Sequence, residues 1–316
     1  MCLRILGPYD LTRTKYIEPA TIGYTRNTLG GCYLLLVDLL LLILFSILIG
    51  VIASLLGIGG GVFLVPVMTL AFGIEIKVAA ATSLVTVIVT SSTSTSRYLK
   101  EGFININLGV FIEFFSIIGA VVGAVIAFQL QAFVIEAIFA TVLLYTAYYM
   151  WRVKEHPGEK CSDDERQGGL ISKRSIFNGK YLDDCSGQMV EYGIVKPHIG
   201  AGAGFIAGNL SGLIGVGGGI VNVPAMNVLM GVPMKAASAT SNFIIGVTAV
   251  AGALLYLSND LIAPLITAAA SIGVFIGAII GTKYLGRIRG GSLRIGFSIL
   301  LVVISIMMFL RAGGWL

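Results

Sequence analysis

The chain has 316 residues, of which 56% are hydrophobic and only 12% charged, and its mean hydropathy is +0.93. Soluble domains run near a quarter charged, so this composition excludes a soluble globular domain, and 41 glycines without a Gly-X-Y period exclude a collagen. The net charge of +5 lies at the ends of apolar runs, with no basic stripe interleaved with aromatics, which argues against a nucleic-acid binder.

In chain order, residues 1–32 read as a polar N-terminal arm carrying Arg4, Arg13, Lys15 and Arg26. A secretory signal would place its short apolar core nearer the start. A first transmembrane repeat is expected over 33–153. Its apolar runs are Tyr33 to Leu56, a short run Val62 to Phe72, then Val78 to Leu99, Ile106 to Leu130 and Phe133 to Val153. Membrane helices need about 20 apolar residues. The polar stretch 154–196 cannot sit in hydrocarbon and reads as a cytoplasmic linker. A second transmembrane repeat, 197–316, follows with runs Ile199 to Ile214, Ile220 to Met230, Ala236 to Leu257, Leu261 to Leu285 and Leu293 to Leu310.

The halves repeat in sequence as well as in hydropathy. Gly57-Ile58-Gly59-Gly60-Gly61 and Pro66 match Gly215-Val216-Gly217-Gly218-Gly219 and Pro224, an offset of 224 − 66 = 158. The same offset pairs Gly73 with Gly231, Lys77 with Lys235, Thr82-Ser83 with Thr240-Ser241, and Tyr98 with Tyr256. Gly119 and Gly123 pair with Gly273 and Gly277 at a slightly shorter offset. Loop charges differ between the copies. Arg97 and Lys100 make one loop basic, whereas its counterpart, Ser258-Asn259-Asp260, is not. The turn near Gln129 is neutral, whereas its counterpart carries Lys283, Arg287, Arg289 and Arg294. Because Lys and Arg stay cytoplasmic, the expectation is a pair of inverted repeats. Each would hold a Gly-rich broken helix hairpin and three transmembrane helices, with both termini outside. A parallel repeat with an even number of crossings is the alternative.

Three glycines in a row are poor helix formers, and proline lacks an N–H. Such a break survives in a membrane only where it is buried in protein or lines a cavity. The helices resuming near Val62 and Ile220 would aim free N–H groups and a positive dipole end at that cavity, which favours an anion. No Gly-Lys-Ser/Thr follows, so the motif is not a soluble phosphate-binding loop. Thr82, Ser83, Thr240, Ser241 and Asn242 open the next helices, and either contact substrate or bond a neighbouring helix. The run Ser91 to Ser96 reads as packing or a wetted helix end. Asn222, matched by Leu64, and Asn209 make the half-sites unequal.

Asp38, Glu113 and Glu136 fall in apolar runs, and intramembrane acids are relay candidates. Their places near predicted helix ends favour carboxylates reaching the interface. Lys77 and Lys235 either attract an anion or snorkel to water. Gly119 and Gly123, with Gly273 and Gly277, read as helix-packing positions. Cys161 and Cys185 share the linker, either as a disulfide or as two free thiols. With His156 and His198 standing alone, no metal site and no catalytic set is indicated.

The doubled Gly-x-Gly-Gly-Gly-x4-Pro, with a following Gly turn and an Ala-x-Ala-Thr-Ser opening, resembles the sulfite exporter family of the TauE/SafE type. The resemblance covers roughly residues 40 to 150 and 200 to 310. It implies ATP-independent transport of sulfur-containing anions such as sulfite or organosulfonates. The motif glycines carried over are Gly57, Gly59, Gly60 and Gly61 with Gly215, Gly217, Gly218 and Gly219, and the prolines are Pro66 and Pro224. The small Gly that often precedes the family core is met by Gly212, but copy one has Ser54. The linker is longer than the resemblance leads one to expect, which makes it a regulatory candidate.

The resulting expectation is an all-α, multi-pass cell-membrane protein that carries small sulfur-containing anions by alternating access, and not an enzyme. The expected binding residues are Gly59, Gly60, Gly61, Gly217, Gly218 and Gly219, with Thr82, Ser83, Thr240, Ser241, Asn242 and Asn222. No cofactor is expected, although coupling to H⁺ or Na⁺ fits such a carrier. An anion channel with the breaks as a static filter is the alternative.

Overall fold

The computed structural model describes residues 28–152, 177–182, 189–194, 196–284 and 302–313. Most of the N-terminal arm, Cys161, Cys185, and the basic loop residues Arg287, Arg289 and Arg294 lie outside them.

The first half contains α1 (Thr28–Leu56), α2 (Gly61–Pro66) running on into a π-helical turn (Val67–Ala71), α3 (Ile76–Lys100), α4 (Ile106–Gln129) and α5 (Ala132–Arg152). The second contains α6 (Pro197–Ile214), α7 (Gly219–Pro224) running on into a π-helical turn (Ala225–Leu229), α8 (Met234–Ser258), α9 (Pro264–Tyr284) and α10 (Val302–Ala312). Among the described residues, α1, α3, α4, α8 and α9 are long and apolar enough to cross a membrane. Large apolar side chains line the outside as well as the core: Leu44, Phe114 and Leu254 are each more than 60% exposed. The hydroxyls point inward, with Thr82, Ser83, Thr86, Thr90, Ser91 and Ser94 of α3 all buried. That inside-out arrangement suits lipid, which offers no partner for a hydroxyl.

Small residues set the packing. The fourth helix of each half lies on the first helix of the other half. A Cβ at Gly119 of α4 would stand 2.9 Å from the Asn209 amide nitrogen of α6, and one at Gly277 of α9 would stand 2.9 Å from the Val51 nitrogen of α1. Only glycine lets these backbones approach so closely. At the centre α3 packs on α8. Leu84 approaches Gly252, whereas Ser91 approaches Gly246 and donates to the Asn242 carbonyl. Numbers rise along one helix as they fall along the other, so the two run antiparallel.

The prolines do not end their helices, although a proline beyond the first turn tends to break one. Pro66 and Pro224 sit where each α-turn widens into a π-turn. Widening relieves the ring's clash with the preceding turn and absorbs the missing N–H. The break itself is confined to residues 57–60 and 215–218. The linker also holds a short antiparallel hairpin, β1 (Gly179–Leu182) with β2 (Met189–Tyr192). It docks on the α3–α4 turn: Phe103 stacks on Tyr181 at 5.4 Å, and Asn105 Nδ2 donates to the Phe177 carbonyl at 2.7 Å. Tyr181, Tyr192 and Ile194 share an apolar cluster with Met226, Met230 and Val232, at the end of the second broken hairpin.

Candidate functional site: two crossed helix breaks

Each break lets the chain turn back inside the bundle. Gly59 and Gly217 hold φ of +74° and +85°, a region closed to most side chains. Both breaks are buried throughout. They lie side by side and antiparallel. The Gly57 carbonyl oxygen would meet a Cβ on Gly219 at 2.6 Å, the Val216 oxygen would meet one on Gly59 at 3.5 Å, and the Gly215 oxygen abuts Gly61. Val87 and Ile245, equivalent residues of α3 and α8, cover the crossing. Ile245 Cγ2 lies 3.2 Å from a Cβ on Gly59 and 2.7 Å from one on Gly217.

Reciprocal hydrogen bonds hold this crossing. Ser83 Oγ donates to the Gly215 carbonyl at 2.7 Å, and Ser241 Oγ donates to the Gly57 carbonyl at 3.1 Å. Within each half a tyrosine ties the helix end before the break: Tyr98 OH donates to the Ser54 carbonyl at 2.8 Å, and Tyr256 OH to the Gly212 carbonyl at 3.1 Å. The Ser54/Gly212 difference therefore leaves this tie unchanged, because each offers the same backbone oxygen. The Gly60 carbonyl accepts from the Phe63 and Leu64 amides, and the Gly218 carbonyl accepts from the Val221 and Asn222 amides. The amides of Gly61, Val62, Gly219 and Ile220 thus precede the first helical bond and have no intrahelical acceptor.

The threonines expected beside these breaks turn elsewhere. Thr82 Oγ1 lies 3.1 Å from Thr267 Oγ1 of α9, and Thr240 Oγ1 accepts from the Asn105 amide at the start of α4 at 3.1 Å. The structure thus groups the six glycines with Ser83 and Ser241, and gives Thr82 and Thr240 to helix packing.

The halves differ in two ways. Gly218 is left-handed, with φ +76°, whereas its counterpart Gly60 is right-handed, with φ −58°. Polarity differs as well. Asn222 and Asn242 are each 2% exposed, and their counterparts Leu64 and Leu84 are fully buried. Among the described residues Asn222 Oδ1, Asn242 Nδ2 and Ser94 Oγ find no partner, and the counterpart of Ser94 is Gly252. An unmade hydrogen bond on a buried group costs about 1–3 kcal/mol, so each such atom suits a ligand or a water. The serine run 91–96, expected to pack or to form a wetted helix end, buries Ser91 and Ser94 and leaves Ser92 and Ser96 exposed.

Two of the intramembrane acids, Glu113 and Glu136, are buried rather than drawn to the interface. Glu113 is 6% exposed, and its Oε1 accepts from Thr248 Oγ1 of α8 at 3.1 Å. Glu136 of α5 pairs with Arg311 of α10 at 3.5 Å, and Arg311 also donates to the Thr69 carbonyl beside the first π-turn. Sequence proximity hid that partner, which comes from the other end of the chain. Asp38 is exposed, as an interfacial carboxylate would be. Among the described residues no three His, Cys, Asp or Glu side chains group as a metal site requires.

Residues 42–308 match the family described as Sulfite exporter TauE/SafE. The chain is 27% identical over 275 residues to the probable membrane transporter protein YunE of Bacillus subtilis, covering 84% of this chain and 95% of that one. It is 29% identical over 293 residues to the probable membrane transporter protein MJ0441 of Methanocaldococcus jannaschii, covering 88% and 97%. The probable membrane transporter protein YdhB of Bacillus subtilis is 22% identical over 245 residues, covering 78% and 89%. No solved structure gives a significant match.

Proposed function

The chain belongs to the sulfite exporter TauE/SafE family of membrane transporters, and from that premise we propose that it is a secondary carrier of small sulfur-containing anions, sulfite or organosulfonates. The observation that carries this reading is the antiparallel meeting of the two breaks. Amides released from helical bonding sit at the centre of the bundle in two reversed copies, and helix N-termini favour anions. Asn242 Nδ2 of the second half adds a donor that has no partner among the described residues.

The repeats are inverted about an axis in the membrane plane. The antiparallel packing of α3 on α8, the reciprocal serine bonds and the opposite loop charges support this arrangement. Alternating access then consists of the two broken hairpins taking turns to open. At the crossing each break is tied to the opposite half by a seryl hydroxyl and glycine contacts, and the first hairpin is held in addition by Arg311 and Met308 of α10. Exchange of these contacts accompanies opening. The reading is of a carrier rather than an enzyme.

The test uses proteoliposomes and a panel of sulfite, thiosulfate, sulfate, taurine and sulfoacetate. Asn242→Leu and Asn222→Leu place in the second half the residue that its counterpart already holds, so folding is preserved. Asn242→Leu, which removes the free Nδ2 donor, is expected to weaken anion binding ~10- to 100-fold, the loss of a hydrogen bond to a charged group, whereas Asn222→Leu, which removes a free acceptor, is expected to change it little. Undiminished affinity in Asn242→Leu removes that donor from the site. Saturable flux with counter-substrate stimulation supports a carrier, and ohmic single-channel currents make the protein a channel instead.

A further inference from the structure

Glu113 stands at the level of the crossed breaks. Its carboxylate is bonded to Thr248, three residues beyond Ile245, whose side chain covers Gly59 and Gly217. Three residues of helix rise about 4.5 Å. Glu113 Oε2 has no partner among the described residues. The position has no acidic twin: pairing Gly119 with Gly273 places Thr267 opposite Glu113 in the second half.

Among the described residues, no basic side chain faces the carboxylate at this depth. The helices packed on α4 are α6 and α8. Their titratable groups are His198 in the first turn of α6, Lys235 in the first turn of α8, and Tyr256, whose hydroxyl is given to the Gly212 carbonyl. The rest of α4 has none, and Lys180, Tyr181, Glu191 and Tyr192 of the hairpin lie by its first turn, beside Asn105. A buried carboxylate without a cation is costly. An anion arriving at the breaks adds a second negative charge nearby, and two like charges in an apolar site disfavour each other's charged forms.

We propose that Glu113 is the coupling group of the carrier: its carboxylate takes a proton from water when an anion occupies the breaks, and returns it to the other side when the anion leaves. The O–H bond forms on the free Oε2, Thr248 keeps Oε1 in place, and one anion and one proton cross together. This rests on the anion-carrier reading above.

The experiment uses the full-length reconstituted protein and a simple alkylsulfonate, whose own charge does not change with pH. Wild type is expected to take up about one proton per anion bound in weakly buffered solution, with affinity rising up to ~10-fold per unit fall in pH. Glu113→Gln, neutral at all pH, is expected to bind with pH-independent affinity, take up no proton and keep counterflow exchange. It should also lose accumulation driven by a pH gradient. Anion binding by wild type without proton uptake overturns the proposal, and needs no variant. So does pH-driven accumulation surviving in Glu113→Gln, or a Na⁺ gradient replacing the pH gradient as the drive. Thr248→Val is a second variant, expected to shift the midpoint of the pH dependence. If no sulfur anion binds, the substrate reading fails by itself. Infrared titration then decides on Glu113: a protonated-carboxyl stretch that titrates in wild type and is missing from Glu113→Gln upholds an exchangeable proton there, and its absence overturns it.

Discussion

At the scale of single residues, the glycines of the breaks do different jobs. Gly61 is helical, and its lack of a side chain matters because the Gly215 carbonyl and Val216 Cα occupy the space a Cβ would need. Gly102 has φ +73° but nothing within 4 Å. Gly61→Ala is therefore expected to cost several kcal/mol or to force the breaks apart, because the obstruction is backbone and cannot rotate away. Gly102→Ala should cost only about 1–2 kcal/mol, the strain of the left-handed region. Thermal unfolding in detergent, read beside anion flux, checks the contrast, and equal effects would show that the crossing is loosely packed. Gly218 is a poor position for separating binding from folding. A Cβ there would meet the Ala207 carbonyl oxygen at 2.6 Å, in addition to its left-handed φ.

At the scale of elements, the linker hairpin is joined to the bundle by one side chain with two tasks. Asn105 Oδ1 accepts from the Leu108 amide at 3.1 Å and so caps α4, while its Nδ2 holds Phe177 and reaches Tyr192 OH. Asn105→Ala should lose the cap, about 1 kcal/mol, and release the hairpin to protease without unfolding the bundle. Burial raises the Tyr192 hydroxyl above its usual range, and its hydrogen bond with Asn105 opposes this in part. A raised acid stabilises the docked state while it stays neutral. That contribution is full below the unfolded value near 10 and fades as pH rises through the higher docked value. Proteolysis of the hairpin should therefore quicken in strongly alkaline buffer in wild type and lose that pH dependence in Tyr192→Phe. A cleavage rate indifferent to both changes would place the holding contacts in the apolar cluster alone.

At the scale of the whole molecule, antiparallel α3 and α8 put equivalent turns on opposite faces. Gly73 and Gly102 flank α3, and Gly231 and Asn259 flank α8. Single cysteines at 102 and 231 are expected to react with an impermeant reagent from the cytoplasmic side, the side of Arg97 and Lys100. Cysteines at 73 and 259 should react from the outside. Labelling of 73 and 231 from one side would exclude inversion. The same geometry explains the contact of each fourth helix with the other half's first helix. Neither half can bury its Gly-faced helix on its own, so the two halves form one body.

Much of this was legible in residue types and spacing. The apolar runs set the helices to within a few residues at most ends, because lipid demands continuous apolar length and complete internal hydrogen bonding. The repeated Gly-x-Gly-Gly-Gly placed both breaks, and the offset paired Ser83 with Ser241. What spacing does not carry is direction around a helix and contact between distant segments. Thr82 and Ser83 are neighbours in sequence, yet one faces α9 and the other faces the opposite break, since successive helical residues point about 100° apart. Glu113 reads as an interfacial acid until α8 is laid across it, and Glu136 until Arg311 arrives from the end of the chain. Membrane insertion, duplication and the position of the breaks follow from local composition and periodicity, so they can be read from residue order. That the two breaks cross antiparallel, beside asparagine atoms of the second half that find no partner among the described residues, emerges only from the folded packing. Those facts depend on which backbones glycine allows to touch.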